Sequence, residues 1–360
     1  AQTREELQKA QQFYDEGNAA FKRGDFPAAV DNLTKAIALY PQSYQLYFAR
    51  GTIYLMQSKN TEGISDLDKA IELYPTFAEA FDNRGLGYRN LGNVSQALKD
   101  HTKAIEINPR LVGAYNNRGN IYRMMRDFTA AIKDFDKAID LNPFLADTYS
   151  NRGAAYQESG NFSKSLEDLN KAISLNPNDA RYYTNRGNTY LSLKELDAAM
   201  ADYNKSLEIM PIALTFYSRA RIYLEKRDIE QALKDYTKAI ELNPQFAAAY
   251  NNRGLIYQGR GNIDAALQDF TRAVSLDEKD GVYYFNRANI YFLKKDFASA
   301  ASDYTKAVEI FPLWAEAFRR RADAFKKSGK KKAAEADLKK AKQLEKENFD
   351  PLNQTEVIIS

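Results

Sequence analysis

Asparagine returns at a fixed interval along this chain. Asn83, Asn117, Asn151 and Asn185 stand 34 residues apart, and Asn252 and Asn286 resume that interval after Ser218 interrupts it. A side-chain amide carries a donor and an acceptor together, so a row of amides can pair with both polar groups of an extended peptide backbone. Such a row grips main chain without asking for a particular side chain. Further amides stand nearby at Asn116, Asn120, Asn188, Asn251 and Asn289. The plainer reading is that these amides bond neighbouring copies of the same unit. Other chemistry has little to work with. One His and no Cys exclude disulfides and the usual zinc sites, and give a Ser–His or Cys–His nucleophile almost no support. His101 falls where other copies hold Leu67, Phe135, Leu169 and Tyr203, which makes it a core residue. Gly85-Leu86-Gly87 followed by Gly92 has no preceding strand and is not read as a phosphate loop. The expectation is a non-enzymatic protein without a cofactor.

The elements that would hold the amides are written in a second series. Pro41, Pro75, Pro109, Pro143, Pro177 and Pro211 are each 34 residues apart, Pro244 follows after 33, and Pro312 lies two periods on with Glu278 in the slot between. A period of this length marks stacked repeats that share one continuous core. With Pro at position 32, ten units run from Ala10 to about Asn348. The expected organisation is a single array over residues 1–346, its last unit a cap, and a tail over 347–360. Position 8 is Gly or Ala in every unit, position 20 is Gly, Ala or Ser, and position 27 is Ala everywhere except Ser206. Small residues at 8 and 20 let the two helices of a unit approach closely. Position 11, Tyr54 in the second unit and aromatic in every later one, fills the gap towards the neighbouring unit. Turn pairs such as Gly24-Asp25, Gly92-Asn93, Gly160-Asn161 and Gly261-Asn262 end one helix in the left-handed region and cap the next. The shortened spacing after Pro211 predicts a change of stacking over residues 205–225.

This pattern resembles the tetratricopeptide repeat family over residues 10–345. The resemblance implies an all-α, right-handed superhelical solenoid of antiparallel helix pairs, with first helices on the concave face and second helices on the convex face. It also implies a protein or peptide ligand in the concave groove. The Asn row is similar to the asparagine ladder of the O-GlcNAc transferase repeat domain, where such a row holds peptide. Carboxylate-clamp members bind acidic chaperone C-termini with a set of Lys, Asn and Arg. Here Asn18 matches, but Tyr14, Ala49, Glu79 and Asn83 replace the rest. Position 7, often Leu in the family, is Arg from Arg50 to Arg321, and position 23 is Asp from Asp66 to Asp337. The first unit lacks both, with Glu16 and Asn32. Residues that come and go together predict an Arg–Asp bridge between the helices of each unit. The matched Asp argues against a phosphate-binding row, and a net charge of +3 does not call for nucleic acid.

Apolar residues frame the amides. Phe48, Leu55 and Met56 stand at concave positions in the second unit, and Phe285, Phe292 and Leu293 in the ninth. They are candidate anchors for a partner, or else they meet a chain terminus such as Val357-Ile358-Ile359 folded across the groove. The expected peptide-binding set is Asn83, Asn117, Asn151, Asn185, Asn252 and Asn286 with Phe48, Phe285 and Phe292. The last unit is rich in Lys, from Lys326 to Lys346, which suits a polar end cap. The alternative is docking on an acidic protein or an anionic membrane surface. No run approaches the roughly 18 apolar residues of a membrane span. The chain opens at Ala1, which leaves signal removal and a cut fragment both open, and the compartment is not read. Two functions stand: a scaffold that binds an extended peptide, and an accessory or targeting module of a larger assembly.

Overall fold

The structure, a computed structural model, describes residues 3–345 and 350–353. These form twenty α-helices and one short 3-10 helix, with no strand among the described residues. Two compact units are distinguished, Ala1–Pro177 and Asn178–Ser360. The first holds α1 (Arg4–Lys22), α2 (Phe26–Leu39), α3 (Tyr44–Met56), α4 (Asn60–Leu73), α5 (Ala78–Asn90), α6 (Val94–Ile107), α7 (Val112–Met124), α8 (Phe128–Leu141), α9 (Ala146–Glu158) and α10 (Phe162–Leu175). The second holds α11 (Ala180–Ser192), α12 (Leu196–Ile209), α13 (Ala213–Glu225), α14 (Ile229–Leu242), α15 (Ala247–Gly259), α16 (Ile263–Leu276), α17 (Gly281–Leu293), α18 (Phe297–Ile310), α19 (Ala315–Lys327) and α20 (Lys331–Leu344), then the 3-10 helix Pro351–Asn353. In each unit an odd-numbered first helix packs on the even-numbered second helix after it, and that second helix meets the next first helix. The fold is all-α, as the period predicts.

Three residues join the helices of a pair, and the middle one has positive φ. It is Gly in five turns, including Gly24 and Gly92 at 77°, but Ser58, Arg126, Lys194, Arg227 and Lys295 take the same conformation in the others. The next residue caps the second helix wherever it is Asp or Asn: Asp127 Oδ1 accepts from Ala130 N at 3.0 Å and Asn262 Oδ1 from Ala265 N at 3.3 Å. The small residue at position 8 is where the helices touch. A Cβ on Gly119 would lie 2.7 Å from the Phe135 ring, and one on Gly51 would lie 3.0 Å from the carbonyl of Gly63 at position 20. Position 24 therefore fills the slot that position 8 leaves open, and His101 occupies that slot in the third repeat, fully buried.

The Arg–Asp bridges are present in all nine units that carry the pair. Arg50, Arg84, Arg118, Arg152, Arg186, Arg219, Arg253, Arg287 and Arg321 each donate two parallel hydrogen bonds, from Nε and Nη2, to the Asp sixteen residues on, at 2.6–2.9 Å. The fork of a guanidinium matches a carboxylate in this geometry. The remaining Nη1 often reaches the preceding second helix at position 25, to Thr34 from Arg50 at 2.9 Å, Asp68 from Arg84 at 2.7 Å and Asn204 from Arg219 at 2.8 Å. The guanidinium also lies between two rings of its own helix, those of Tyr115 at 5.8 Å and Tyr122 at 5.9 Å for Arg118. The position-11 aromatic thus serves the Arg as a cation–π face. Hydrogen bonding to Asp134 raises the pKa of Arg118 against the cost of burial, while burial pushes the Asp168 carboxyl up against the pull of Arg152.

At the shortened junction, Met210, Pro211 and Ile212 join α12 to α13 without the turn found in the other linkers, and Met210 and Ile212 are extended. Beneath it lies a buried hydroxyl cluster: Thr184 Oγ1 is 2.6 Å from Thr215 Oγ1 and 2.8 Å from Ser206 Oγ. Ser206 stands where every other repeat has Ala.

Breaking one bridge tests its role. Arg118→Met leaves Asp134 buried without its cation and is expected to cost about 3 kcal/mol, as is Asp134→Leu. The double variant should lose less than the sum, with a coupling of roughly 1–3 kcal/mol in urea unfolding. Strict additivity would mean the two groups act independently.

Candidate functional site

The first helices present positions 2, 5, 6, 9, 12 and 13 on one face, and the amides at position 6 are positioned there by the repeat. Their NH2 groups bond the preceding repeat. Asn83 Nδ2 donates to Thr52 Oγ1 at 2.9 Å, and Asn151 Nδ2 to Asn116 Oδ1 at 3.0 Å. Asn117 Nδ2 donates to both oxygens of Asp82 at 3.1 and 3.2 Å. In the second unit Asn252 Nδ2 donates to the hydroxyls of Tyr217 and Tyr236, and Asn286 Nδ2 to Asn251 Oδ1 at 2.8 Å. Asn251 in turn donates to Asn252 Oδ1 at 3.2 Å. The result is a polar seam linking three consecutive repeats, and burial pushes the Tyr236 hydroxyl well above its usual pKa.

Exposure divides the expected site residues. Asn83, Asn117, Asn151 and Asn185 are half-buried at the helix face, whereas Asn252 and Asn286 are only 1% and 4% exposed. Phe285, expected as an exposed anchor, is 4% exposed and lies in the core, its ring centroid 4.2 Å from Trp314 and 5.5 Å from Tyr304. Phe48 is half-buried against Phe77 at 4.7 Å, and Phe292 is half-buried against Phe297 at 5.2 Å. Met56 and Leu293, one residue beyond Leu55 and Phe292, are 57% and 56% exposed. The sequence reading names Asn116 and Asn251 at position 5 but misses Asp82 and Tyr217 there. Asp82, Asn116, Tyr217 and Asn251 there are the acceptors for the next repeat's Asn. A polar residue 35 positions before each of those Asn was the available signal.

Position 9 carries amides with unused groups. Asn188 Oδ1 accepts from Tyr203 OH at 2.7 Å and Asn289 Oδ1 from Tyr304 OH at 2.6 Å, and neither NH2 has an acceptor among the described residues. Asn120, half-buried, has neither group engaged by the described residues. At the amino-terminal end of the first unit an open cleft of about 440 Å³ is lined by Leu7, Ala10, Gln11, Tyr14, Tyr40, Ser43, Gln45 and Leu46. The Val357-Ile358-Ile359 segment and Lys346 lie outside the described residues. Leu352 of the 3-10 helix packs on the core of the last repeats. No described helix is long and apolar enough to cross a membrane.

The third repeat has a local variant of the seam. His101 Nδ1 lies 2.7 Å from Asp82 Oδ1, and since Asp82 also accepts from Asn117, its carboxylate is the acceptor and His101 Nδ1 carries the proton. Nε2 is buried without a partner. The cluster joins α5, α6 and α7.

Sequence comparisons agree with this architecture. Profiles described as tetratricopeptide repeat match residues 14–76, 112–145, 146–179, 180–211, 247–280 and 281–314, and one described as TPR repeat matches 220–261. The chain belongs to the tetratricopeptide repeat family, whose repeats form protein–protein interaction scaffolds. Comparison with curated protein sequences finds no significant match. Among solved structures, a tetratricopeptide repeat protein from Parabacteroides merdae is 26% identical, with a TM-score of 0.57 over 66% of this chain and 94% of that one. Human IFIT1, solved as a dimer with m7Gppp-AAAA, is 16% identical with a TM-score of 0.59, over 93% of this chain and 90% of that one. A monomeric IFIT1 mutant with Gppp-AAAA is 15% identical with the same TM-score and coverage. At that identity the likeness is one of fold.

His101→Leu is expected to destabilise the protein by about 1–3 kcal/mol, because Asp82 loses a buried donor. Adding Asp82→Ala should recover part of that loss in thermal or urea unfolding. No recovery would mean that His101 acts by shape alone.

Proposed function

We propose that the first-helix face binds an extended segment of another protein through its main chain, without catalysis. The observation that carries this reading is the one-sided use of the amides. Position 6 turns its NH2 inwards and leaves the carbonyl oxygens of Asn83, Asn117 and Asn151 without a protein donor among the described residues. Position 9 does the opposite at Asn188 and Asn289, and Asn120 keeps both groups. A peptide backbone offers N–H and C=O in alternation, which suits α7, where Asn117 presents an acceptor and Asn120, three residues on, a donor. Asn185 holds the position-6 register at the start of the second unit.

Asn252 and Asn286 have a supporting part in this reading, since both are buried. Phe285 likewise supports the scaffold through the core. Selectivity falls to Phe48 with Met56, to Phe292 with Leu293, and to the cleft between Leu7 and Leu46, where Gln11 and Gln45 flank an apolar floor. With first helices about 10 Å apart and an extended chain rising about 3.3 Å per residue, each repeat would meet roughly every third peptide residue. The Arg row is held by Asp, which disfavours a phosphate backbone as the ligand.

Selection from a random peptide display library should return sequences of varied side chains and common extended character. For a selected peptide, Asn120→Ala should weaken binding about fivefold by calorimetry, the worth of one hydrogen bond of about 1 kcal/mol. N-methylation of peptide amides at every third residue should weaken it further. If neither change alters the affinity, the main-chain mode is wrong.

A further inference from the structure

The last helix pair carries eleven Lys or Arg against five Asp or Glu between Ala315 and Glu345, a net +6 in a chain whose total is +3. The three Arg are already engaged: Arg321 with Asp337, Arg319 with Glu316 and Glu345, Arg320 with Glu316. The cations without an acid partner among the described residues are all Lys, and they arise where other repeats keep a neutralising partner. Asp or Asn caps seven of the other second helices, but Lys330 precedes α20 and makes no side-chain cap, with Lys331 and Lys332 following in the first turn. Cations there oppose the helix dipole and weaken the helix. On five second helices the Lys at position 26 pairs with Glu three residues on, as Lys306 does with Glu309 at 3.0 Å. In α20 that Glu is Gln343, and Lys340 has no acid partner among the described residues. Position 25, elsewhere Thr, Asn or Asp, is Lys339.

A terminal repeat needs a polar outer face, but solubility does not require one sign, and acidic residues serve it better than basic ones. A predominantly basic pair, in which exposed Asp323 and Glu335 stand among the Lys, gives up a helix cap and an ion pair, and that calls for an anionic partner. Lys presents a hydrated point charge, without the fork that reads a carboxylate or phosphate in a fixed geometry. The Lys stand on the turn tip and on the outward side of α20, all exposed, with Leu338 among them at 49% exposure. Exposed, flexible point charges with an exposed Leu among them fit a plane of diffuse negative charge better than a folded acidic chain. We infer that the α19–α20 pair docks the protein on bilayers rich in acidic phospholipid headgroups.

Each Lys near such a surface raises partitioning roughly fivefold. The test is co-sedimentation of the whole protein with vesicles of phosphatidylcholine alone or mixed with phosphatidylserine. Binding is expected only to the mixed vesicles and should fall as salt rises. Replacing Lys326, Lys327, Lys331, Lys332 and Lys339 by Gln should reduce it by at least about a hundredfold. Replacing Lys99, Lys133, Lys234 and Lys279 by Gln, all exposed and on other repeats, should have far less effect. Lys→Arg at the same five positions should retain binding, since only charge is used. Circular dichroism checks that each variant stays helical. Equal binding to both vesicle types, full binding by the five-Gln variant, or loss of binding in the Arg variant would overturn the inference. So would capture of polyglutamate without any vesicle binding, which would point instead to an acidic protein partner.

Discussion

A planar cation held between two aromatic rings and a carboxylate sets the geometry of this protein. In nine of ten repeats an Arg on the first helix ties down the second helix of its own pair, and in most of them its third nitrogen also reaches the second helix before it. One side chain therefore fixes both the closure of a pair and its seating on the previous pair. A partly buried ion pair of this kind adds little net stability over an apolar substitute, yet losing one partner is costly. Its value lies in specifying a single arrangement, and sixteen-residue spacing repeated nine times specifies it repeatedly. The first repeat is the exception. There Glu16 and Asn32 replace the pair, Asn32 bonds its own helix at Ala28, and α1 gains an N-terminal extension closed by a Thr3–Glu6 capping box.

The amides form a second lattice laid over the first. A buried polar group must be paired, and from Asn117, Asn151, Asn252 and Asn286 the pairing runs from position 6 to position 5 of the repeat before, while Asn83 reaches Thr52 at position 9. The identity at position 5 changes from Asp to Asn to Tyr, while the Asn that reaches it does not. Where Ser218 interrupts the row, the lattice is replaced by hydroxyls of Thr184, Ser206 and Thr215 beneath a linker one residue short. The chain shortens and the side chains that bridge the gap shorten with it.

Binding capacity is what remains after these two lattices have taken their partners. Groups that a neighbour satisfies hold the scaffold together; those left over, at position 9 and on the outer oxygens of position 6, are available to another molecule. The same logic governs the carboxyl end. Position 25, which accepts from an Arg in several other pairs, is Lys339 in α20, a group that can only donate.

The sequence by itself determined the repeat, its register, the helix pairs, the turn caps and the Arg–Asp partners, because each depends on residues at fixed separations within one 34-residue unit. Arg118 and Asp134 sit one helix apart, so their pairing is nearly a local property. The first helix also contains the aromatic faces around the Arg, at three residues before and four after, which helical spacing alone could have revealed. Burial was decided only by the tertiary structure. Asn117 and Asn252 occupy the same position in their units and look equivalent in sequence, but Tyr217 and Tyr236 close over Asn252 while Asn117 keeps an open side. Phe48 and Phe285 likewise share position 5, and Trp314, 29 residues beyond Phe285, draws that ring into the core. What a side chain touches across a seam depends on the size of residues in the adjoining repeat, and a period that marks which positions correspond carries no measure of how much room each one has.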